Sequence, residues 1–227
     1  MLTATAVFFF CQCIMAQKFV TPLTSLTGKA QVETMDGRTI HGTITESNVG
    51  FKGLTSIKIK DSATKESTKF KAEELKSLKV KMDLSAKAET IEKQTGSLFS
   101  MLHANSKETS QREYIYYNSV AFPEKADKIL LLELLNEGFD SKIKVYENSA
   151  EIKSSTSMFG LQLKDGEAKT YIIVVNGVSS FVKKSSFKEK YFDKLFAGCP
   201  ALASMTEKQV DFNDFAKYVY QFDKNCN

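Results

Sequence analysis

The chain has 227 residues, of which 42% are hydrophobic and 26% are charged, and this balance is typical of a folded soluble protein rather than a disordered one. Its length allows one large domain or two small ones. The formal net charge of +4 comes from 31 basic and 27 acidic residues, without the concentrated positive charge of a protein that binds duplex DNA. We therefore expect no nucleic-acid partner.

The amino terminus, MLTATAVFFFCQCIMAQ, carries no charge, and its apolar run extends from Ala4 to Ala16. Signal peptidase accepts residues such as Ile14 and Ala16 before a cleavage site, so residues 1–16 are predicted to be a secretory signal peptide. The run is shorter than the roughly 20 apolar residues of a spanning helix. No basic residue precedes the run, which departs from the usual signal-peptide pattern and suggests a start codon placed too late. An amino-terminal strand or a buried core helix is the alternative to a signal peptide.

Residues 28–82 are predicted to form a small SH3-like β-barrel of five short strands. Asp36-Gly37 suits the tight turn of a first hairpin, and Gly42 would mark a bend or bulge inside its strand. The run TSIKIK alternates apolar and basic residues, as a half-buried strand does. The predicted elements are two strands within 30–45, strands at 55–60, 69–71 and 78–80, and a single helical turn at 72–75.

Residues 83–110 are rich in Ser, Thr, Lys, Glu and Ala, and they are predicted to form a linker helix. Their apolar positions recur alternately at spacings of four and three, which is the stripe of an amphipathic helix. A mobile linker is the alternative because Gly96 weakens the helix. The stripe consists of Leu84, Ala88, Ile91, Thr95, Leu98 and Leu102.

Residues 111–227 are predicted to form an antiparallel β domain that ends in two helices, so the fold class is α+β and rich in strands. Asn176-Gly177 is a strong hairpin signal. The run KILLLELLN favours a strand, although its Leu, Lys and Glu content also suits a helix. The predicted strands are REYIYYNSVA, KILLLELLN, KIKVYE, MFGLQLK, KTYIIVV and SSFVKK.

Two helices are predicted near the carboxyl terminus. Ser186 and Glu189 fit a capping box, and Gly198 followed by Pro200 supplies a stop, so the first helix is expected over 187–197. Its expected buried residues are Phe187, Tyr191 and Leu195. Asp211 can cap the last helix, whose apolar stripe is Phe212, Phe215, Val219, Phe222 and Cys226.

The cysteines predict a disulfide rather than a reactive site. Cys11 and Cys13 would leave with the signal peptide, so the exported chain keeps Cys199 and Cys226 in an oxidising compartment. Two distant cysteines do not supply the ligands of a zinc site, and outside the signal there is no Cys-x-x-Cys redox pair. We expect a clip between Cys199 and Cys226, with no metal and no cofactor.

Catalytic residues are not evident. His41 falls in a barrel strand and His103 in the linker, and neither lies in a motif of nucleophilic hydrolases. Glu73-Glu74 could act as an acid and a base, but a carboxylate pair in a lysine-rich loop is usually solvated. We therefore expect a protein that is not an enzyme, with an unrecognised hydrolase as the third hypothesis.

Four lysines of the predicted barrel form a candidate contact surface. Alternation places Lys58, Lys60, Lys69 and Lys71 on its outside, where they could meet lipopolysaccharide, anionic phospholipid or cell-wall polymer. The alternative is that these lysines keep the protein soluble and block pairing of edge strands.

Several runs in the second half resemble exported bacterial envelope proteins of unknown function. They are REYIYY from Arg112, the run LLNEGFDSKIKVY that ends at Tyr146, and FDKLFAGCP from Phe192 followed by an aromatic helix and Cys226. The resemblance implies export and transfers no catalytic residue. The leading hypothesis is thus a secreted or periplasmic protein that binds a protein or glycan partner, and the alternative is docking of the basic barrel on an anionic surface.

Overall fold

The computed structural model describes residues 17–20, 26–50, 53–82, 112–147 and 170–226. The predicted signal peptide at 1–16, the linker helix at 83–110 with His103, and the strand MFGLQLK lie outside these ranges. Within them the fold class predicted from the sequence is confirmed: a barrel, a second antiparallel sheet and two carboxyl-terminal helical segments.

The five strands predicted for residues 28–82 are present, and the first four follow one another as antiparallel neighbours. The 3₁₀ turn Ala72–Glu74 leads into the fifth strand, which returns to pair with the first. Gly37 makes the turn of the first hairpin with a φ of 86°, a conformation that glycine adopts without steric cost. The strands are β1 (Gly28–Thr34), β2 (Thr39–Gly50), β3 (Gly53–Asp61), β4 (Ser67–Lys71) and β5 (Leu75–Lys81).

Two further strands, β6 (Tyr114–Phe122) and β7 (Lys125–Glu133), close the barrel. β6 pairs with β5, β7 pairs with β6, and Leu54 of β3 pairs with Leu131 of β7. The closed barrel therefore has six strands in the order β1-β2-β3-β7-β6-β5, with β4 on the outer edge of β3. β6 and β7 therefore belong to the barrel and not to the second region, where the sequence places them. Alternation identifies a strand, but it does not identify the strand with which it pairs.

The run KILLLELLN is a strand, as predicted, and its neighbours explain the continuous apolar sequence. Leu131 faces the barrel core, whereas Leu130 and Leu132 belong to a second apolar cluster outside the barrel. A strand with both faces covered needs no polar side. The β6–β7 hairpin is thus shared between two cores.

Gly42 has a different role from the predicted bend. A Cβ atom at Gly42 would collide with the backbone oxygen of Lys60 and with the side chain of Ile59. The irregularity in the pairing of β2 with β3 falls later, between Ile44 and Glu46. Gly42 therefore allows β3 to approach closely, and the bulge lies beyond it.

The second sheet has three strands in the order β10-β9-β8 and lies between the barrel and the helices. One face packs on the β6–β7 hairpin, where Phe122 contacts Phe181 with ring centroids 5.4 Å apart. The other face packs on the carboxyl-terminal helices. The strands are β8 (Ile143–Glu147), β9 (Thr170–Val175) and β10 (Val178–Lys183).

Tyr146 of β8 is central to the contact between barrel and sheet. It is 1% exposed, and its hydroxyl accepts a hydrogen bond from Asn118 of β6 at 3.1 Å. Burial raises the pKa of Tyr146 to about 12, against the opposing effect of that hydrogen bond. The hydroxyl is therefore a neutral structural partner at physiological pH.

The first carboxyl-terminal helical segment begins at Phe187, as predicted, but it buries a different set of residues. A π-helix at Phe187–Phe192 continues as α1 (Asp193–Phe196). A π-helix bonds residue i to i+5, so the buried positions are Phe187, Phe192 and Phe196, whereas Tyr191 and Leu195 are only partly buried. The predicted capping box is wrong as well, because Ser186 makes no side-chain cap and already belongs to the 3₁₀ turn Lys184–Ser186.

The last segments are α2 (Pro200–Ala203) and α3 (Phe215–Asn225), joined by two 3₁₀ turns at Glu207–Gln209 and Phe212–Asp214. The Asp211 side chain accepts from the backbone N–H of Asn213 at 2.9 Å, so the predicted cap is present one turn before α3. Among the described residues, no helix is long and apolar enough to cross a membrane.

Candidate binding surface

The four predicted lysines lie together on the outer side of β3 and β4. Lys58 is directly opposite Lys69 in the pairing of these strands. Lys60, Lys69 and Lys71 are exposed, and Lys58 is half-buried. Like charges directly opposite each other in a sheet repel, so the arrangement needs counter-charges nearby.

The structure adds a fifth lysine that the sequence analysis did not select. Lys29 of β1 pairs with Thr43 of β2, and Thr43 pairs in turn with Lys60 of β3. Lys29 and Lys60 therefore lie two strands apart, roughly 10 Å, on one row across the sheet. We call the set Lys29, Lys58, Lys60, Lys69 and Lys71 the lysine face.

Two carboxylates partly neutralise the lysine face. Lys58 binds Glu46 at 3.0 Å, and Lys71 approaches Glu73 at 3.8 Å. Within the described ranges, Lys29, Lys60 and Lys69 make no ion pair. Exposed pairs of this kind contribute little to stability, so the face keeps positive charge that can attract an anionic partner.

The candidate acid and base residues, Glu73, Glu74 and His41, are not brought together in one site. Glu74 accepts the backbone N–H of Lys71 at 2.7 Å and so caps the 3₁₀ turn before β5. Its neighbour Glu73 faces Lys71, and His41 is exposed on β2. In the part of the chain that the structure describes, no cluster of His, Cys, Asp and Glu is placed to hold a metal ion.

A pocket of about 240 Å³ lies between residues 17–20 and the carboxyl-terminal helices. Phe19 packs there against Tyr171 and Phe215, with ring centroids 5.2 and 5.4 Å away. Among the described residues, the polar side chains in its lining are Gln17, Lys18, Tyr171 and Asn213, and none of them is a histidine or a carboxylate.

Cys199 and Cys226 lie at disulfide distance, with their Cα atoms 5.0 Å apart. Cys199 precedes α2 and Cys226 follows α3, so the pair joins the two ends of the final helical region. Both residues are buried in the aromatic core below β9. The pair therefore links the two ends of this helical region within a packed core.

The end of α3 is also held by the loop that precedes β8. Asp223 accepts the backbone N–H of Ser141 at 2.8 Å and its hydroxyl at 2.6 Å. Lys142 donates to the carbonyl oxygens of Phe222 and Cys226, where the negative end of the helix dipole attracts a cation. Burial alone would raise the pKa of Asp223, but the hydrogen bonds from Ser141 and Lys224 outweigh it and lower that pKa.

A buried ion pair was missed by the sequence analysis. Arg112 donates from Nη1 to Oε1 of Glu133 at 2.8 Å, and their side chains are 8% and 5% exposed. Tyr117 donates to the other carboxylate oxygen at 3.3 Å. The available signal was a single glutamate inside the apolar run LLLELL, because a charge in a buried strand needs a partner.

Comparison with known proteins finds no matching family model, no similar curated protein and no similar solved structure.

Proposed function

We propose that this chain is an exported binding protein without catalytic activity, and that it docks through its lysine face on an anionic envelope surface. The observation that carries the proposal is the strand register, which places Lys29 and Lys60 on one cross-strand row and Lys69 on the adjacent one. All three lysines are exposed and have no ion partner in the described ranges. A two-dimensional array of this kind suits a surface of lipid headgroups.

Export is part of the proposal, and two features support it. The amino-terminal 16 residues have the composition of a signal peptide. The pair Cys199 and Cys226 lies at disulfide distance, and such bonds persist in oxidising compartments.

A protein or glycan partner was the first hypothesis from the sequence, and it would favour a continuous apolar patch. Among the described residues the large exposed apolar side chains are Met35, Val178 and Tyr220. They lie on three different elements, the β1–β2 turn, β10 and α3. The charged face is therefore the stronger candidate surface.

Co-sedimentation with vesicles tests the proposal. We expect the protein to bind vesicles that contain phosphatidylglycerol, not vesicles of phosphatidylcholine alone, and to be released as salt screens the exposed charges. Each lysine near an anionic membrane contributes about 1 kcal/mol. The double charge reversal Lys60→Glu/Lys69→Glu should therefore weaken binding tenfold or more.

The matched control is Lys188→Glu/Lys208→Glu, which changes the net charge equally on exposed residues of the carboxyl-terminal region. If both double variants lose binding equally, the attraction is a property of net charge and not of the lysine face. Binding that salt does not weaken would also contradict the proposal.

A further inference from the structure

Arg112 uses only part of its hydrogen-bonding capacity. Nη1 donates to Glu133, while Nε and Nη2 are buried and have no hydrogen-bond partner. A buried donor without a partner costs about 1–3 kcal/mol. Orphaned groups of this kind in a folded protein call for a specific explanation.

The two orphaned nitrogens form one edge of the guanidinium. Nε–H and Nη2–H point the same way, and this edge is the one that holds two oxygens of a carboxylate or phosphate group. Glu133 binds Nη1 and leaves the Nε–Nη2 edge buried without a hydrogen-bond partner. The ion pair thus restrains the guanidinium at Nη1, which reduces the freedom that bidentate binding would remove.

The choice of arginine at this position is itself informative. Of the 31 basic residues only Arg38 and Arg112 are arginines. Arg38 is exposed and bound to Asp36 at 2.8 Å. Lysine carries its charge on one nitrogen and cannot replace the planar guanidinium of arginine. The cation of the buried ion pair is therefore the residue type that binds oxyanions in a bidentate manner.

The surroundings of Arg112 include a second positive charge and an exposed carboxylate. Glu137 is exposed and is influenced electrostatically by both Arg112 and Lys79. Lys79 lies 4.0 Å from the ring centre of Tyr114. A ligand held by Arg112 would therefore experience the charges of Lys79 and Glu137 as well.

We propose that the Nε–Nη2 edge of Arg112 binds the carboxylate or phosphate group of a small ligand, with Glu133 orienting the guanidinium and Glu137 limiting the affinity. This site is separate from the lysine face and does not depend on the proposed docking function.

Nuclear magnetic resonance of the arginine Nε–H groups tests the site directly, because the full chain should give two signals. At constant ionic strength, addition of inorganic phosphate or of acetate should shift the Arg112 signal saturably, while Arg38 serves as the internal reference. Sodium chloride is the control for screening. The two anions distinguish a phosphate from a carboxylate preference.

Two variants make the test specific. Arg112→Lys should weaken binding about tenfold or more, since the two parallel hydrogen bonds are lost. Glu137→Gln should strengthen binding, because it removes a competing and repelling carboxylate. If Arg112→Lys does not fold, titrations of the wild type and Glu137→Gln decide the question.

Three results would overturn the proposal. The first is an Arg112 signal that responds to neither anion, which would mean that water alone satisfies the edge. The second is an equal response to chloride. The third is a Glu137→Gln variant that shifts the Arg112 signal, loses stability and ignores phosphate, since Glu137 would then be the partner of the edge.

Discussion

Asp223 connects the end of α3 to the loop before β8, and its side chain is only 2% exposed. Its carboxylate accepts both hydrogen bonds of Ser141. Because these contacts favour the charged form, the pKa of Asp223 is lower in the folded protein than the value of about 3.9 expected in the unfolded chain. The stabilisation is therefore complete above that unfolded value and is lost as the pH falls through the folded one.

We predict that Asp223→Asn lowers the free energy of unfolding by about 1 kcal/mol at neutral pH, since it weakens charge-assisted hydrogen bonds. Urea denaturation between pH 7 and pH 2.5 should show this difference shrinking below about pH 4. Asp127→Asn, an exposed carboxylate of β7, is the control for loss of one charge. A difference that grows towards acid pH would contradict the assignment.

Individual residues also show which parts of the candidate sites can be predicted from the sequence and which cannot. Lys58 and Lys60 could be placed outside the barrel because alternation along one strand fixes the face. Lys29 and Arg112 could not be placed, because their neighbours depend on the register between strands far apart in sequence. Gly42 was recognised as unusual, but its close contact with Lys60 depends on the same register.

At the scale of elements, the segment from Phe187 to Phe196 shows the limit of a periodicity argument. A regular α-helix repeats every 3.6 residues, which selects Tyr191 and Leu195 as the buried partners of Phe187. The wider π-turn instead points Phe192 inward, where its ring lies 5.2 Å from that of Tyr218. The sequence offers aromatic residues at both 191 and 192, and packing against α3 decides between them.

The clip between Cys199 and Cys226 spans a sequence separation of 27 residues. In the chain-entropy model, closure of such a loop stabilises the fold by roughly 3 to 4 kcal/mol. We predict that the double variant Cys199→Ser/Cys226→Ser loses about this amount in urea denaturation, and that reducing agent destabilises the wild type but not the variant.

Mass spectrometry of the non-reduced wild type provides the check on this prediction. For one disulfide bond we expect a mass lower than that of the fully reduced chain by two hydrogen atoms. Wild-type stability that is unaffected by reducing agent would show that the two buried cysteines pack without being joined.

At the scale of the whole molecule, the β6–β7 hairpin makes the barrel and the second sheet depend on each other. Ile115 and Tyr117 belong to the barrel core, whereas Val120 and Phe122 of the same strand belong to the core shared with the second sheet. Local alternation in the sequence predicts that β6 and β7 are strands. It does not predict that they contribute to two cores, because either sheet could have paired with them.

We predict that Phe122→Ala destabilises both parts together. Phe122 is 7% exposed, and truncation of a buried phenylalanine costs about 3–5 kcal/mol. Hydrogen exchange should show an equal loss of protection in β1–β5 and in α3, as in one cooperative unit.

The matched control for Phe122→Ala is Val178→Ala, since Val178 is 70% exposed on β10 and should leave protection unchanged. Loss of protection confined to the second sheet and the helices in Phe122→Ala would mean that the barrel unfolds independently.

Because β5 pairs with β6, the barrel cannot close during synthesis until β6 and β7 have left the ribosome. A nascent chain that has emerged only as far as Met82 has all of β1–β5, yet one edge of β5 still lacks its partner strand. Unpaired strand edges recruit other chains, so translation intermediates and recombinant fragments that stop before Tyr114 should aggregate. Soluble production of the barrel requires a fragment that extends beyond Glu133.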